Sequence, residues 1–136
     1  MSFKKNVRSI EITVRGYHLD LYGHVNNSRY SEFLEEGRWD HGADKIGKGF
    51  LEEKGLGMVV VNNNINYRYA AKLHDNIEVK TWIDKVTNRS IIYKHEIYLK
   101  SSNTLILDAS VVAVVINWKE NQAVQIDDSL KAFLFE

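Results

Sequence analysis

The chain contains no cysteine, which rules out disulfides, thiolate metal sites and a cysteine nucleophile. It contains no proline either, so its turns fall to Gly, Asn and Asp. No apolar run reaches the length of a membrane span, and nothing apolar follows Met1-Ser2-Phe3-Lys4-Lys5 to make a signal peptide. A cytoplasmic protein without membrane insertion is therefore expected. Excess charge is lacking too: basic and acidic residues stand at 18 each, so no global field draws in nucleic acid. Neither a G-x-S-x-G elbow nor a phosphate-binding glycine loop occurs. What remains is a 136-residue chain of ordinary soluble composition, long enough for a real core and read as one domain, 1–136.

One stretch organises the rest. Val14 to His41 reads V-R-G-Y-H-L-D-L-Y-G-H-V-N-N-S-R-Y-S-E-F-L-E-E-G-R-W-D-H. Its start continues the alternation of Ile10, Ile12 and Val14 against Glu11, Thr13 and Arg15, which predicts a strand over Ser9–Tyr17 with one wet face. Its end places Tyr30, Phe33, Leu34, Gly37 and His41 at spacings of three and four, which predicts a helix from about Ser28 to about Ile46, closed by Gly47 and Gly49. Gly37 in mid-helix points to close backbone packing, since it costs about 1 kcal/mol relative to Ala. Between strand and helix lies a polar turn, with Asn26 or Asn27 as the N-cap. That turn delivers the carboxylate of Asp20 to a helix mouth, where free N–H groups and the positive end of the macrodipole meet. A fixed anion beside unpaired donors suits the hydrolysis of a carbonyl compound.

Phe50 to Lys54 can make a further helical turn, closed by Gly55 and Gly57. Strands are predicted at Met58–Tyr69, Ile77–Val86, Ser90–Leu99 and Thr104–Trp118, with turns at Thr87-Asn88 and Ser101-Ser102-Asn103. The last strand is apolar on both parities, which predicts burial on both faces. Asp127 opens a short helix ending near Phe135. Strand, long helix, then four strands joined mostly by hairpins is an α+β order: one curved antiparallel sheet of about five strands around one helix.

D-x-x-G-H-V-N-N-x-x-Y followed by F-L-E-E-x-R-W resembles the 4-hydroxybenzoyl-CoA thioesterase family of the hot-dog fold, and within it the bacterial long-chain acyl-CoA thioesterases. Val59-Val60-Val61-Asn62, Asn66-Tyr67-Arg68 and Asp75 form a second matching block. Two departures stand out: the family usually has a proline near Ala70, and an apolar residue where this chain has Asn63. The resemblance implies an acyl-CoA thioesterase acting on medium- to long-chain fatty acyl-CoA. It implies no cofactor and no metal, and a homodimer or homotetramer with sites built across an interface. It gives Asp20 the part of nucleophile or general base, the backbone N–H near Asn27 that of oxyanion donor, and Tyr30 that of a site-lining aromatic. Arg89 and Ser90 fall on the turn that meets the nucleotide end of coenzyme A.

The remaining candidates keep two readings each. His24 either positions Asp20, bonds substrate or shuttles a proton, or is a plain turn histidine. Asn26 is a cap, an active-site amide, or both. His18, Asp20 and His24 match no compact metal-ligand spacing. Arg68, Lys72, Lys85 and Arg89 either meet phosphates or are surface charges. Asn62, Asn64 and Asn66 line a channel or an interface, with the interface preferred; Asn63, on the opposite parity, needs partners if buried. Glu35 and Glu36 read as solvated or interface carboxylates. The rival functions are an acyl-carrier-protein or aromatic acyl-CoA thioesterase on the same scaffold, and a non-catalytic acyl-binding module.

Overall fold

The first strand is short because a side chain takes over its backbone. In the computed structural model, which describes residues 6–42 and 50–135 without the side chains of residues 50 and 135, β1 is Arg8–Thr13. The strand expected as far as Tyr17 stops there. His18 Nδ1 accepts the N–H of Arg15 at 2.9 Å, and Gly16–His18 winds into a 3-10 turn. Asn26 is the N-cap of α1, Asn27–His41; its side chain accepts from Ser28 N at 2.9 Å. Gly42 is the C-cap, so the helix is shorter than expected, and the predicted continuation to Ile46, Gly47 and Gly49 lies outside the described residues. The further helical turn is present as α2, Phe50–Glu53, and ends at Gly55 with φ +73°.

The four later strands are β2 Leu56–Tyr67, β3 Asn76–Val86, β4 Ile91–Leu99 and β5 Thr104–Asn117. β2 ends before Tyr69 because the N–H groups of Arg68 and Tyr69 both go to Ile106 O, at 2.7 and 3.1 Å. A two-residue strand not anticipated, β6 Gln122–Ala123, pairs with Ile116 and Asn117. Asp127 caps α3, Asp128–Phe135, through Leu130 N at 2.8 Å. The antiparallel sheet runs β1-β3-β4-β5-β2, with β6 on the end of β5. Register shifts at Val60/Asn62, Ile83/Lys85 and Ile97/Tyr98 bend it, as bulges do.

Inside the curve, α1 packs Tyr30, Phe33, Leu34 and Gly37 toward β1 and β3. A Cβ added at Gly37 would fall 2.4 Å from Thr81 Oγ1, the close packing that a mid-helix glycine signalled. A second cluster gathers Leu51, Ile126, Leu130 and Leu134 over Ile91, Val111 and Val115. β5 differs from expectation: Val111, Ala113 and Val115 are buried, but Val112, Val114 and Ile116 on the other face are only half-buried. No described element covers that convex face. The bulge at Val61 also shifts the parity of β2. Val59 pairs with Val114 on the convex side, whereas Asn63, Ile65 and Tyr67 pair with Val111, Ala109 and Leu107 on the concave side. Asn63 is exposed, so no buried amide needs partners. Asn62, Asn64 and Asn66 do share one face, opposite Val112, Ser110 and Asp108.

Candidate active site

The polar turn is closed by Asp20 itself. Its Oδ1 accepts from Tyr22 N at 2.8 Å and His24 N at 3.2 Å, and its own N–H reaches His24 O at 2.8 Å. Gly23, at φ +76°, takes the left-handed step this tight loop requires. Oδ2 has no hydrogen bond among the described residues, so one carboxylate oxygen builds the loop and the other remains for chemistry. Two straps fix the loop below: Val25 N to Ala71 O at 3.0 Å and Asn26 N to His18 O at 2.9 Å. His18 is buried edge-on against Phe33, at 4.9 Å between ring centroids. Its pKa is lowered, by burial first and then by Arg29, so it acts as a neutral strut.

At the helix mouth, the N–H of Ser28 is taken by the Asn26 side chain, and those of Arg29 and Tyr30 by Asn26 O. The N–H of Asn27 has no acceptor among the described residues. Asp20, His24, Asn27, Tyr30 and Arg68 open into one cleft of about 330 Å³. Tyr30 is almost wholly buried; its hydroxyl accepts from Ala71 N at 3.1 Å, and burial raises its pKa. It is thus a wall of the cleft and a clamp on the strap. Asp20 is exposed in the single chain.

Arg68 is held by Asp108, which also accepts from Asn66 Nδ2 at 3.0 Å. The hydrogen bond between Arg68 and Asp108 raises the pKa of Arg68 and lowers that of Asp108. Sequence reasoning missed Asp108, although a carboxylate interrupting the apolar run Leu105–Ile116 was the signal. It also missed Tyr67 and Tyr69, which flank Arg68 at the cleft. Arg89 and Ser90 are not brought together with Asp20. They sit on the β3–β4 turn, where Thr87 Oγ1 accepts from both their N–H groups, at 3.2 and 2.9 Å. The Asp20 loop is tied to the approach to the opposite end of β3, by Val25 N to Ala71 O and by the bridge between His24 and Lys72, so the separation is roughly 30 Å along eleven strand residues. Among the described residues no three His, Asp, Glu or Cys side chains gather closely enough to hold a metal ion. A second cavity, about 260 Å³, lies at the other end of α1, beside Arg38 and Trp39.

Residues 14–134 match the Thioesterase-like superfamily. The chain is 38% identical over 121 residues to the long-chain acyl-CoA thioesterase FadM of Escherichia coli (strain K12), covering 89% of this chain and 92% of that protein. It is 32% identical over 97 residues to the acyl-CoA thioesterase YbgC of Haemophilus influenzae, covering 70% and 69%. The crystal structure of YbaW, a probable thioesterase from Escherichia coli, superposes with a TM-score of 0.86 at 35% identity, over 94% of this chain and 98% of that one. With a helix held in a curved antiparallel sheet and this match over nearly its whole length, the chain belongs to the Thioesterase-like superfamily of the hot-dog fold.

Proposed function

We propose that this protein is a cytoplasmic acyl-CoA thioesterase acting on medium- to long-chain fatty acyl-CoA. The observation that carries the reading is the opening of Asp20 and the unpaired Asn27 N–H into one cleft. The thioester carbonyl oxygen points at that N–H, which takes up charge as the carbonyl carbon becomes tetrahedral. Asp20 Oδ2 either attacks the carbon, expelling the CoA thiolate and leaving an anhydride that water opens, or takes a proton from the attacking water. The products are the same by both routes: the free acid and CoA. His24 and Asn26 frame the turn, Tyr30 walls the acyl side, and Arg68, with Arg89 and Ser90 of a second copy, meets the phosphates and nucleotide end of coenzyme A.

A homodimer or homotetramer belongs to this reading. β2 is an outermost strand in the sheet order, and Val61 on it is 58% exposed. A second copy along that edge supplies the burial that Asp20 lacks.

The test is Asp20→Asn assayed for thiol release from palmitoyl-CoA. Turnover is expected to fall by orders of magnitude with the circular dichroism spectrum unchanged; undiminished turnover removes Asp20 from the mechanism. In a single turnover in ¹⁸O-water, label in the Asp20 carboxylate identifies direct attack, since it enters only when water opens the anhydride at the Asp20 carbon.

A further inference from the structure

The cavity at the far end of α1 holds a cation that forms no ion pair among the described residues. Its walls include Leu51, Leu56, Met58, Val60, Ala113 and Trp118. Arg38 stands among them, half-buried. Its Nη1 meets His95 Nε2 at 3.1 Å, and His95 Nδ1 meets Thr81 Oγ1 at 3.0 Å. His95 is buried, and burial followed by the charge of Arg38 drives its pKa down to about 3, so the ring is a neutral acceptor. One neutral acceptor leaves most of the guanidinium's five donors unused. Among the described residues no carboxylate forms an ion pair with Arg38. Glu35 and Glu52 also line the cavity, but both are exposed to water. A desolvated guanidinium is matched by a forked carboxylate, and apolar walls around it are matched by an alkyl chain.

We propose that this cavity binds the carboxylate of an alkyl carboxylate, with Arg38 forked on the head group and the chain lying against Met58, Val60 and Trp118. Two sources share that chemistry: a free fatty acid, and the far end of an ω-carboxyacyl thioester. The second rests on the thioesterase reading. Asn27 to Arg38 spans about 17 Å of helix, at about 1.5 Å per residue. An extended chain advances about 3.6 Å per three bonds, so a ligand reaching from one cavity to the other needs at least about fourteen bonds.

Trp39 and Trp118 both line the cavity, so indole fluorescence reports its occupation. The full-length protein is titrated with tetradecanoate and with tetradecan-1-ol, below micelle concentration. The acid is expected to bind roughly tenfold more tightly, a preference lost in Arg38→Gln, which keeps a donor for His95, and reduced in Arg38→Lys. Equal affinity for acid and alcohol in the unmodified protein overturns the proposal, as does an unchanged preference in a folded Arg38→Gln. If Arg38→Gln does not fold, Arg38→Lys carries the comparison. The sources are separated by kcat/KM for tetradecanedioyl-CoA against tetradecanoyl-CoA. A preference for the former that Arg38→Gln removes assigns the site to the substrate's tail; acid binding without that preference assigns it to the free acid. The fluorescence result stands whether or not either thioester is hydrolysed, so failure of the enzymatic reading is told apart from failure of this one.

Discussion

Single side chains in this protein close accounts that the backbone leaves open. The hydroxyl of Tyr30 accepts the N–H of Ala71, a residue with no exposed surface, and Ala71 O in turn holds Val25 beside the Asp20 loop. Tyr30→Phe therefore leaves a buried donor unpaired, at a cost of about 1–3 kcal/mol. The expected outcome is a lower denaturation midpoint with kcat falling alongside it, because the strap under the cleft loosens. Equilibrium denaturation and thiol release on the same preparation check this. His95 makes a second prediction through linkage. Its folded pKa, about 3, lies below the ordinary histidine value of 6.5, so between those limits the unfolded state binds a proton that the folded state refuses. Its contribution is constant above pH 6.5 and is lost as pH falls toward 3, by up to about 1.4 kcal/mol per pH unit. His95→Gln should flatten that part of the stability profile, measured by urea denaturation across pH.

Elements here obey local signals except where a side chain or a bulge intervenes. α1 was legible from its apolar spacing, and Gly37 announced the contact with Thr81. Gly37→Ala gains helix propensity of about 1 kcal/mol, yet its methyl would lie 2.4 Å from Thr81 Oγ1 and 3.1 Å from Val79 Cγ1. Overpacking of about 1–3 kcal/mol should win, so the variant melts lower than the parent, whereas Glu36→Ala on the exposed face stays near neutral. Thermal unfolding of both variants decides it. The illegible parts share a cause: they depend on particular side-chain contacts and bulges that a regular period does not carry. β1 ends where His18 captures Arg15, a contact that alternation does not encode. The bulge at Val61 makes Asn63 a concave-face residue beside Val111 and sends Val59 outward, which a fixed period of two cannot anticipate. Asp20 and Asn27 were visible as a pair because they sit seven positions apart around one turn. Asp108, which fixes Arg68, comes from forty residues further on.

At the scale of the whole molecule, the residues that the proposed function brings together lie at opposite ends of one sheet. Asp20 and Asn27 open at the end of β3 near Asn76, while Arg89 and Ser90 turn the chain at the other end. Neither Arg89 nor Ser90 lines the Asp20 cleft, so under the proposed function a cleft using both draws them from two copies. β2 offers the route. It is twelve residues long and outermost, and it carries Val60 and Val61 at 37% and 58% exposure. A long edge with no charged residue pairs with another strand unless something blunts it. Val61→Lys places an ammonium on that edge without touching a buried residue. The expected outcome is a shift from dimer or larger to monomer mass in light scattering, with the circular dichroism spectrum retained and thiol release per chain falling by more than tenfold. In the unmodified protein, specific activity should fall on dilution as the assembly dissociates. A monomer that keeps full activity at every concentration sinks the shared-site reading, and Arg89 and Ser90 leave the mechanism with it.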